Sequence, residues 1–193
     1  MDINGKKAIV FGGTSGIGLS ATQMLSDKGA HVIALSRNPD KLKNVPKNVT
    51  TKKMNVLDRD ALEKFFQEVG EYDILVNSAT GGTRAVGPFL SMDLDGYRAS
   101  FDKLWGYTNV VRYGTKFLKD NGNIVLVSGS PARKCRPGQI AISSVGGAVE
   151  AFARGIAPEI APKRINIVSP GIIDTPMSPL QGKEREDYYK NTT

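Results

Sequence analysis

The apolar run Lys7-Ala8-Ile9-Val10-Phe11 passes directly into Gly12-Gly13-Thr14-Ser15-Gly16-Ile17-Gly18, and a helical pattern follows over Gly16 to Lys28. A buried strand that turns on glycines into a helix is the first half of a βαβ unit, and few segments restrict a fold more. Glycines allow a close backbone approach to a bound anion such as a pyrophosphate. The helix N-terminus adds unpaired N–H groups and a favourable dipole. A tight strand-to-helix turn with no ligand looks the same in isolation, so the rest of the chain has to supply the context.

Five more short β-rich runs follow, at His31 to Leu35, Val49 to Met54, Asp73 to Val76, Asn123 to Val127 and Arg164 to Val168. Apolar on both faces, they are expected to be buried parallel strands. Helical patterns intervene at about Asp58 to Val69, Gly96 to Lys119 and Ser143 to Ile160, with a short turn around Pro39 to Lys43. This alternation predicts an α/β fold of three layers, in which right-handed crossovers build a doubly wound parallel sheet. One domain is expected over residues 1–177, followed at 178–193 by a short polar C-terminal helix or mobile tail.

Composition removes several alternatives. Among 193 residues there is one Cys, Cys135, and one His, His31. They cannot assemble a metal cage or a disulfide, and a Ser-His-Asp triad would need the only imidazole. No apolar run approaches the ~18 residues of a membrane helix, and the start, Met1 to Lys7, lacks the apolar stretch of a secretory signal. The expectation is a cytoplasmic protein with no membrane partner. An excess of 26 Lys and Arg over 19 Asp and Glu leaves a net charge of +7. That excess suits nucleic acid, an anionic membrane surface or a small anionic ligand. With 7% aromatics and no basic run of five, nucleic acid is not an expected partner.

Gly12-Gly13-Thr14-Ser15-Gly16-Ile17-Gly18 resembles the Gly-xxx-Gly-Ile-Gly loop of the short-chain dehydrogenase/reductase family. Asn77-Ser78-Ala79 is similar to the Asn-Asn-Ala-Gly motif ending that family's fourth strand, and Gly122 to Ser128 is similar to its fifth strand. Arg164 to Met177, with Ser169-Pro170-Gly171 at its centre, resembles the sixth strand and the Pro-Gly turn beside the nicotinamide. The resemblance runs from about Gly5 to Met177. It implies a Rossmann-type sheet of about six strands in the order 3-2-1-4-5-6, and an NAD(P)(H)-dependent oxidoreductase. The cofactor residues it implies are Gly12, Thr14, Ser15, Gly16, Ile17 and Gly18, then Ser36, Arg37, Asn55 and Val56, then Asn77, Ser78, Ala79, Pro170, Gly171, Ile173 and Thr175. After the second strand, Ser36-Arg37 stands where an NAD-specific member usually has an acidic residue. A carboxylate there would repel a 2′-phosphate and Arg37 can pair with one, so NADP is expected over NAD.

The family's proton chemistry rests on an Asn, a Ser, and a Tyr and Lys one helical turn apart. Matched by motif, those positions fall on Lys103, Gly129, Ile142 and Gly146, with Ser128 and Ser130 flanking Gly129 at the end of the fifth strand. Lys103, Ser128 and Ser130 are therefore the catalytic candidates. Tyr107, four residues beyond Lys103, could lie beside it on one helix face, or be a core aromatic. Phe11 replaces the Thr that usually leads the glycine-rich loop. Arg133, Lys134 and Arg136 lie where this fold receives substrate, so a cationic cleft and a small, anionic carbonyl or alcohol substrate are expected. The alternatives are an inactive NADP-binding or scaffold protein and a non-redox enzyme on the same fold. A homodimer or homotetramer is expected from the resemblance, and only sixteen residues follow Met177.

Overall fold

The computed structural model describes residues 2–42, 44–178 and 180–192, with the side chains of residues 41 and 192 outside that description. Six strands form one parallel sheet in the order β3-β2-β1-β4-β5-β6. They are β1 Lys7–Phe11, β2 His31–Ser36, β3 Val49–Lys53, β4 Tyr72–Asn77, β5 Leu118–Val127 and β6 Arg164–Val168. In the middle of the sheet, Ile9 faces Ile33 on one side and Leu75 on the other. The helices are α1 Gly16–Asp27, α2 Arg59–Val69, α3 Leu94–Ala99, α4 Asp102–Gly114, α5 Ile140–Ile156 and α6 Gly182–Thr192. The predicted turn near Pro39 is a 3-10 turn over Pro39–Lys41; Lys43, its expected end, lies outside the described residues.

Side-chain alternation along the strands divides the core between two faces. Ile9, Phe11, Leu35, Leu62, Phe66, Tyr107 and Leu126 pack on one face and are fully buried or nearly so. Ala8, Val10, Val32, Ala34 and Ile74 pack on the other. Each large apolar side chain so buried contributes ~1.5–3 kcal/mol. Phe11 explains its own presence at the head of the glycine-rich turn. Its ring meets Phe65 at 6.2 Å and Phe66 at 6.0 Å between centroids, and Phe66 stacks on Tyr72 at 5.9 Å.

Three expectations need correction. The strands are not all buried on both faces: β3 buries only Val49, and β6 alternates between exposed and half-buried positions. Both are sheet edges, where one neighbour is missing.

The single helix expected over Gly96 to Lys119 is instead α3, α4 and the start of β5. Asp93 caps α3, accepting from the N–H groups of Asp95 and Gly96, while Ser100 donates to the carbonyl of Gly96 and accepts from the N–H of Ala85. Local side-chain bonds of this kind compete with helix continuation. At the other end, a Cβ on Gly114 would stand 2.7 Å from the Phe66 ring, and the Tyr72 hydroxyl donates to the Gly114 carbonyl at 2.9 Å. Helix and core therefore meet at a point only glycine fits.

The third correction concerns apolar length. Residues Ile140–Glu159 are long and apolar enough, by composition, to cross a membrane. Isoleucines, valines and alanines raise that measure, yet the segment is a helix of the core layer: Ala141, Val145, Val149 and Ala153 are buried, and Glu150 is ion-paired.

Candidate active site

The carboxyl ends of β1, β2, β4, β5 and β6 open into one cleft of about 980 Å³. Its floor is the turn from β1 into α1. Gly12 has φ +73, a region that favours glycine, and a Cβ added to Gly18 would collide with the carbonyl of Gly12 and the hydroxyl of Ser78. Close approach of α1 to β1 and to the end of β4 thus requires glycine twice. Ser15, the residue before α1, makes no capping bond within the helix, and no acidic residue occupies the first turn. Ser15, Gly16, Ile17 and Gly18 all line the cleft with the positive end of the helix dipole.

The second wall comes from the loops after β2 and β3. Ser36, Arg37, Asn55 and Val56 line it. Arg37 is exposed, and its only described polar contact is a long one, 3.5 Å to the carbonyl of Gly81. Thr14 does not line the cleft; it is buried and donates to the Ser36 hydroxyl at 2.8 Å, tying the glycine-rich turn to β2. Asn77 is also behind the surface. Its side-chain oxygen accepts from the N–H of Ala79 at 3.1 Å, while its amide nitrogen is buried with no partner among the described residues. Ser78 and Ala79 reach the cleft, and Ser78 donates to the carbonyl of Phe11 at 3.0 Å. Pro170, Gly171, Ile173 and Thr175 form the opposite side beyond β6.

Of the three catalytic candidates, two line the cleft. Ser128 is buried and its hydroxyl donates to the Gly146 carbonyl at 3.2 Å, so it is committed to the backbone of α5. Ser130 does not line the cleft; it opens a 3-10 turn, Ser130–Ala132, and its N–H donates to the Pro170 carbonyl at 2.8 Å. Lys103 does enter, from the first turn of α4. Its Nζ lies 3.5 Å from the Ser128 carbonyl and 5.4 Å from the centroid of Tyr107. Burial, and then the nearby Arg84 cation, lower its pKa to about 8. Tyr107 is no partner in proton transfer: it is fully buried, donates to the Val127 carbonyl at 2.8 Å, and burial holds its pKa far above the ordinary phenol value.

The cationic loop expected at the cleft is elsewhere. Arg133, Lys134 and Arg136 are exposed and do not line it, and Arg133 donates to Glu150 at 3.0 Å. Glu150, buried on α5, also accepts from Ser169 at 2.8 Å; that bond first, and Arg133 as well, hold its pKa below the usual carboxylate range despite burial. The carboxylate therefore joins the loop after β5 to the turn after β6, pulling Arg133 away from the cleft. The cation that does reach the cleft beside Lys103 is Arg84. A legible signal existed, since Arg84 is the only Lys or Arg between Asn77 and Arg98.

The face that α5 turns to the cleft consists of Ile142, Val145 and Gly146, none of which carries an ionisable group. A Cβ on Gly146 would stand 2.9 Å from that of Ala132 and 3.2 Å from the Ser128 hydroxyl. Past Thr175, the chain returns as α6, and Tyr188 and Tyr189 line the outer cleft. Arg185 fastens that helix by bonding to the Asp174 carboxylate and, at 2.8 Å, to the carbonyl of Thr175.

A parallel sheet in this order, with a glycine-rich first crossover under a cleft at its carboxyl edge, defines a Rossmann-type α/β protein. The sequence model for short chain dehydrogenases matches residues 6–186. The chain is 34% identical to a 3-oxoacyl-(acyl-carrier-protein) reductase FabG of Thermotoga maritima, over 96% of this chain and 82% of that protein. It is 31% identical to a 2,3-dihydro-2,3-dihydroxybenzoate dehydrogenase of Bacillus subtilis, over 91% of this chain and 72% of the other. A short chain dehydrogenase of Burkholderia cenocepacia, solved in complex with NADP, superposes with a TM-score of 0.85 at 29% identity, covering 93% of this chain and 77% of its own. This chain belongs to the short chain dehydrogenase family of oxidoreductases.

Proposed function

We propose that this chain is an NADP(H)-dependent oxidoreductase acting on a small anionic carbonyl or alcohol, with Lys103 in place of the family's usual proton donor. The observation that carries the proposal is the Lys103 ammonium, partly buried in the cleft that holds the glycine-rich turn, with no carboxylate partner among the described residues. An ammonium is costly to enclose unless it meets a negative charge. A charge that develops on a substrate oxygen would meet that need.

The residues present fit a nicotinamide dinucleotide. The cradle of Gly12 and Gly18, which a Cβ would fill, suits a pyrophosphate, and the N-terminus of α1 supplies N–H donors to it. Arg37 would bind the 2′-phosphate, which favours NADP over NAD. Asn55 and Val56 would flank the adenine, while Ser78, Ala79 and Pro170 to Thr175 would hold the nicotinamide end. The bound cofactor would supply the hydride. Lys103 would hold the substrate oxygen and give it a proton, while Ser128, bonded to α5, would line the pocket and orient little. We also propose a cytoplasmic location and a homo-oligomer.

The neutral face of Ile142, Val145 and Gly146 favours a second possibility, a cofactor-binding or scaffold protein without turnover. The test follows NADPH absorbance with an oxo acid present, in wild-type protein and in Lys103→Met. Turnover lost in the variant with NADPH affinity nearly unchanged is expected. Brisk turnover by Lys103→Met would overturn the role of Lys103, and tight NADPH binding with no turnover of any carbonyl would favour the second possibility.

A further inference from the structure

Arg84 and Lys103 enter the cleft from different elements, the loop between β4 and α3 and the first turn of α4. Neither is neutralised by a carboxylate among the described residues. Arg84 Nη2 meets only the Met177 sulfur, a weak acceptor, at 3.0 Å, and Lys103 Nζ meets only the Ser128 carbonyl at 3.5 Å. No ion pair among the described residues includes either cation. They also feel each other, because Arg84 disfavours the charged form of Lys103.

Among the described residues, no carboxylate lines the cleft around the pair. Ile142, Val145, Gly146 and Met177 line the same cleft, and all are uncharged. Arg84 is exposed at the mouth while Lys103 is half-buried deeper in. Two like charges held in one partly dry cleft repel, and the repulsion is relieved when an anion joins them. A guanidinium favours a carboxylate, which it can grip with two parallel N–H donors, and an ammonium acts as a point charge for a single oxygen.

We infer that Arg84 is the specificity-determining anchor of the substrate, and that this substrate is a short oxo acid or the matching hydroxy acid, its carboxylate gripped by Arg84 and its oxo or hydroxyl oxygen held at Lys103. The inference rests on the redox function proposed above, and it concerns binding alone, so it can be tested apart from turnover.

Calorimetric titration of the full chain, with and without saturating NADP+, would compare 2-oxobutanoate, acetoacetate and 4-oxopentanoate with their methyl esters. At least one acid should bind about tenfold or more tighter than its ester, because the ester lacks the charge that a guanidinium grips with two N–H donors. Arg84→Met should remove that advantage while leaving the ester unchanged, and Arg84→Lys should restore part of it. Acids that all bind no better than their esters, or an advantage that survives Arg84→Met, would overturn the inference. Inorganic phosphate competing as strongly as the acids would overturn the carboxylate assignment, and competition by NADP+ would mean that the pair takes a cofactor phosphate instead. Arg84-dependent acid binding in a protein that fails to bind NADPH would leave the subsite standing and remove the redox function. NADPH oxidation by neutral ketones that ignores Arg84 would do the reverse.

Discussion

Gly18→Ala adds one methyl group where α1 lies against the backbone of the glycine-rich turn. The new Cβ would overlap the Gly12 carbonyl and the Ser78 hydroxyl, and the Gly12 carbonyl carbon would stand 2.7 Å away. Two of these three atoms are backbone, so no side-chain rotation relieves the contact, and α1 must move off β1 and β4. Overpacking of this kind costs ~1–3 kcal/mol, offset by at most ~1 kcal/mol of helix propensity gained by replacing glycine. A net loss of about 2 kcal/mol should lower Tm by roughly 4–8 °C in a chain of this size. Gly155→Ala in α5 is the matched comparison, because nothing lies within 4 Å of the Cβ it would add. It should gain up to ~1 kcal/mol and raise Tm by roughly 2–4 °C. Circular dichroism melts of both variants at one protein concentration give the comparison. Gly18→Ala melting at or above the wild-type temperature, or Gly155→Ala melting as far below it, would refute the close-approach reasoning.

Lys103 predicts two pH effects. Its ammonium, with a pKa near 8, should support carbonyl reduction below that pH, so kcat/KM should fall about tenfold per unit above it; a flat profile to pH 10 would exclude Lys103 as the proton donor. Because its folded pKa is depressed, the unfolded chain binds the extra proton between about pH 8 and 10.5, and this group's cost to stability fades as pH rises through that window. Lys103→Met should therefore raise Tm at pH 7 and lose that advantage by pH 10, which parallel melts would reveal. Asp73 is the opposite case: burial alone would raise its pKa, but the Lys7 N–H at 3.0 Å, Lys119 and Lys6 bring it below the ordinary value. Asp73→Asn should cost ~1–3 kcal/mol at neutral pH, and the difference from wild type should shrink as pH falls through the carboxylate range; a constant difference in denaturant titrations down to pH 3 would contradict that. Trp105, 60% exposed on α4, should be covered in a homo-oligomer, and light scattering should show a dimer or larger at micromolar concentration; a monomer there would remove that proposal.

What could be read from the residues depended on how local its cause was. β1 and β6 begin and end where the apolar runs do, because polar or glycine residues bound them on both sides. The glycine-rich turn was equally legible, since its shape follows from glycines that no other residue can replace. The break between α3 and α4 was not, because helical periodicity continues through residue 100, where the Ser100 hydroxyl accepts from the distant Ala85 N–H and donates to the Gly96 carbonyl. Tyr107 matched a helical face beside Lys103, but only packing could decide that its hydroxyl would turn to the Val127 carbonyl. The cationic loop misled for the same reason. Arg133 answers to Glu150, seventeen residues away, while Arg84 gains its meaning only when the loop after β4 folds back toward α4.

The proposed cofactor is the point on which the functional account turns, and fluorescence titration with NADPH and NADH at one salt concentration tests it directly. Arg37 with no acidic residue at Ser36 predicts NADPH the tighter by about tenfold or more, and Arg37→Ser should bring the two affinities together. Equal affinities in the wild-type protein, or binding of neither, would contradict the account.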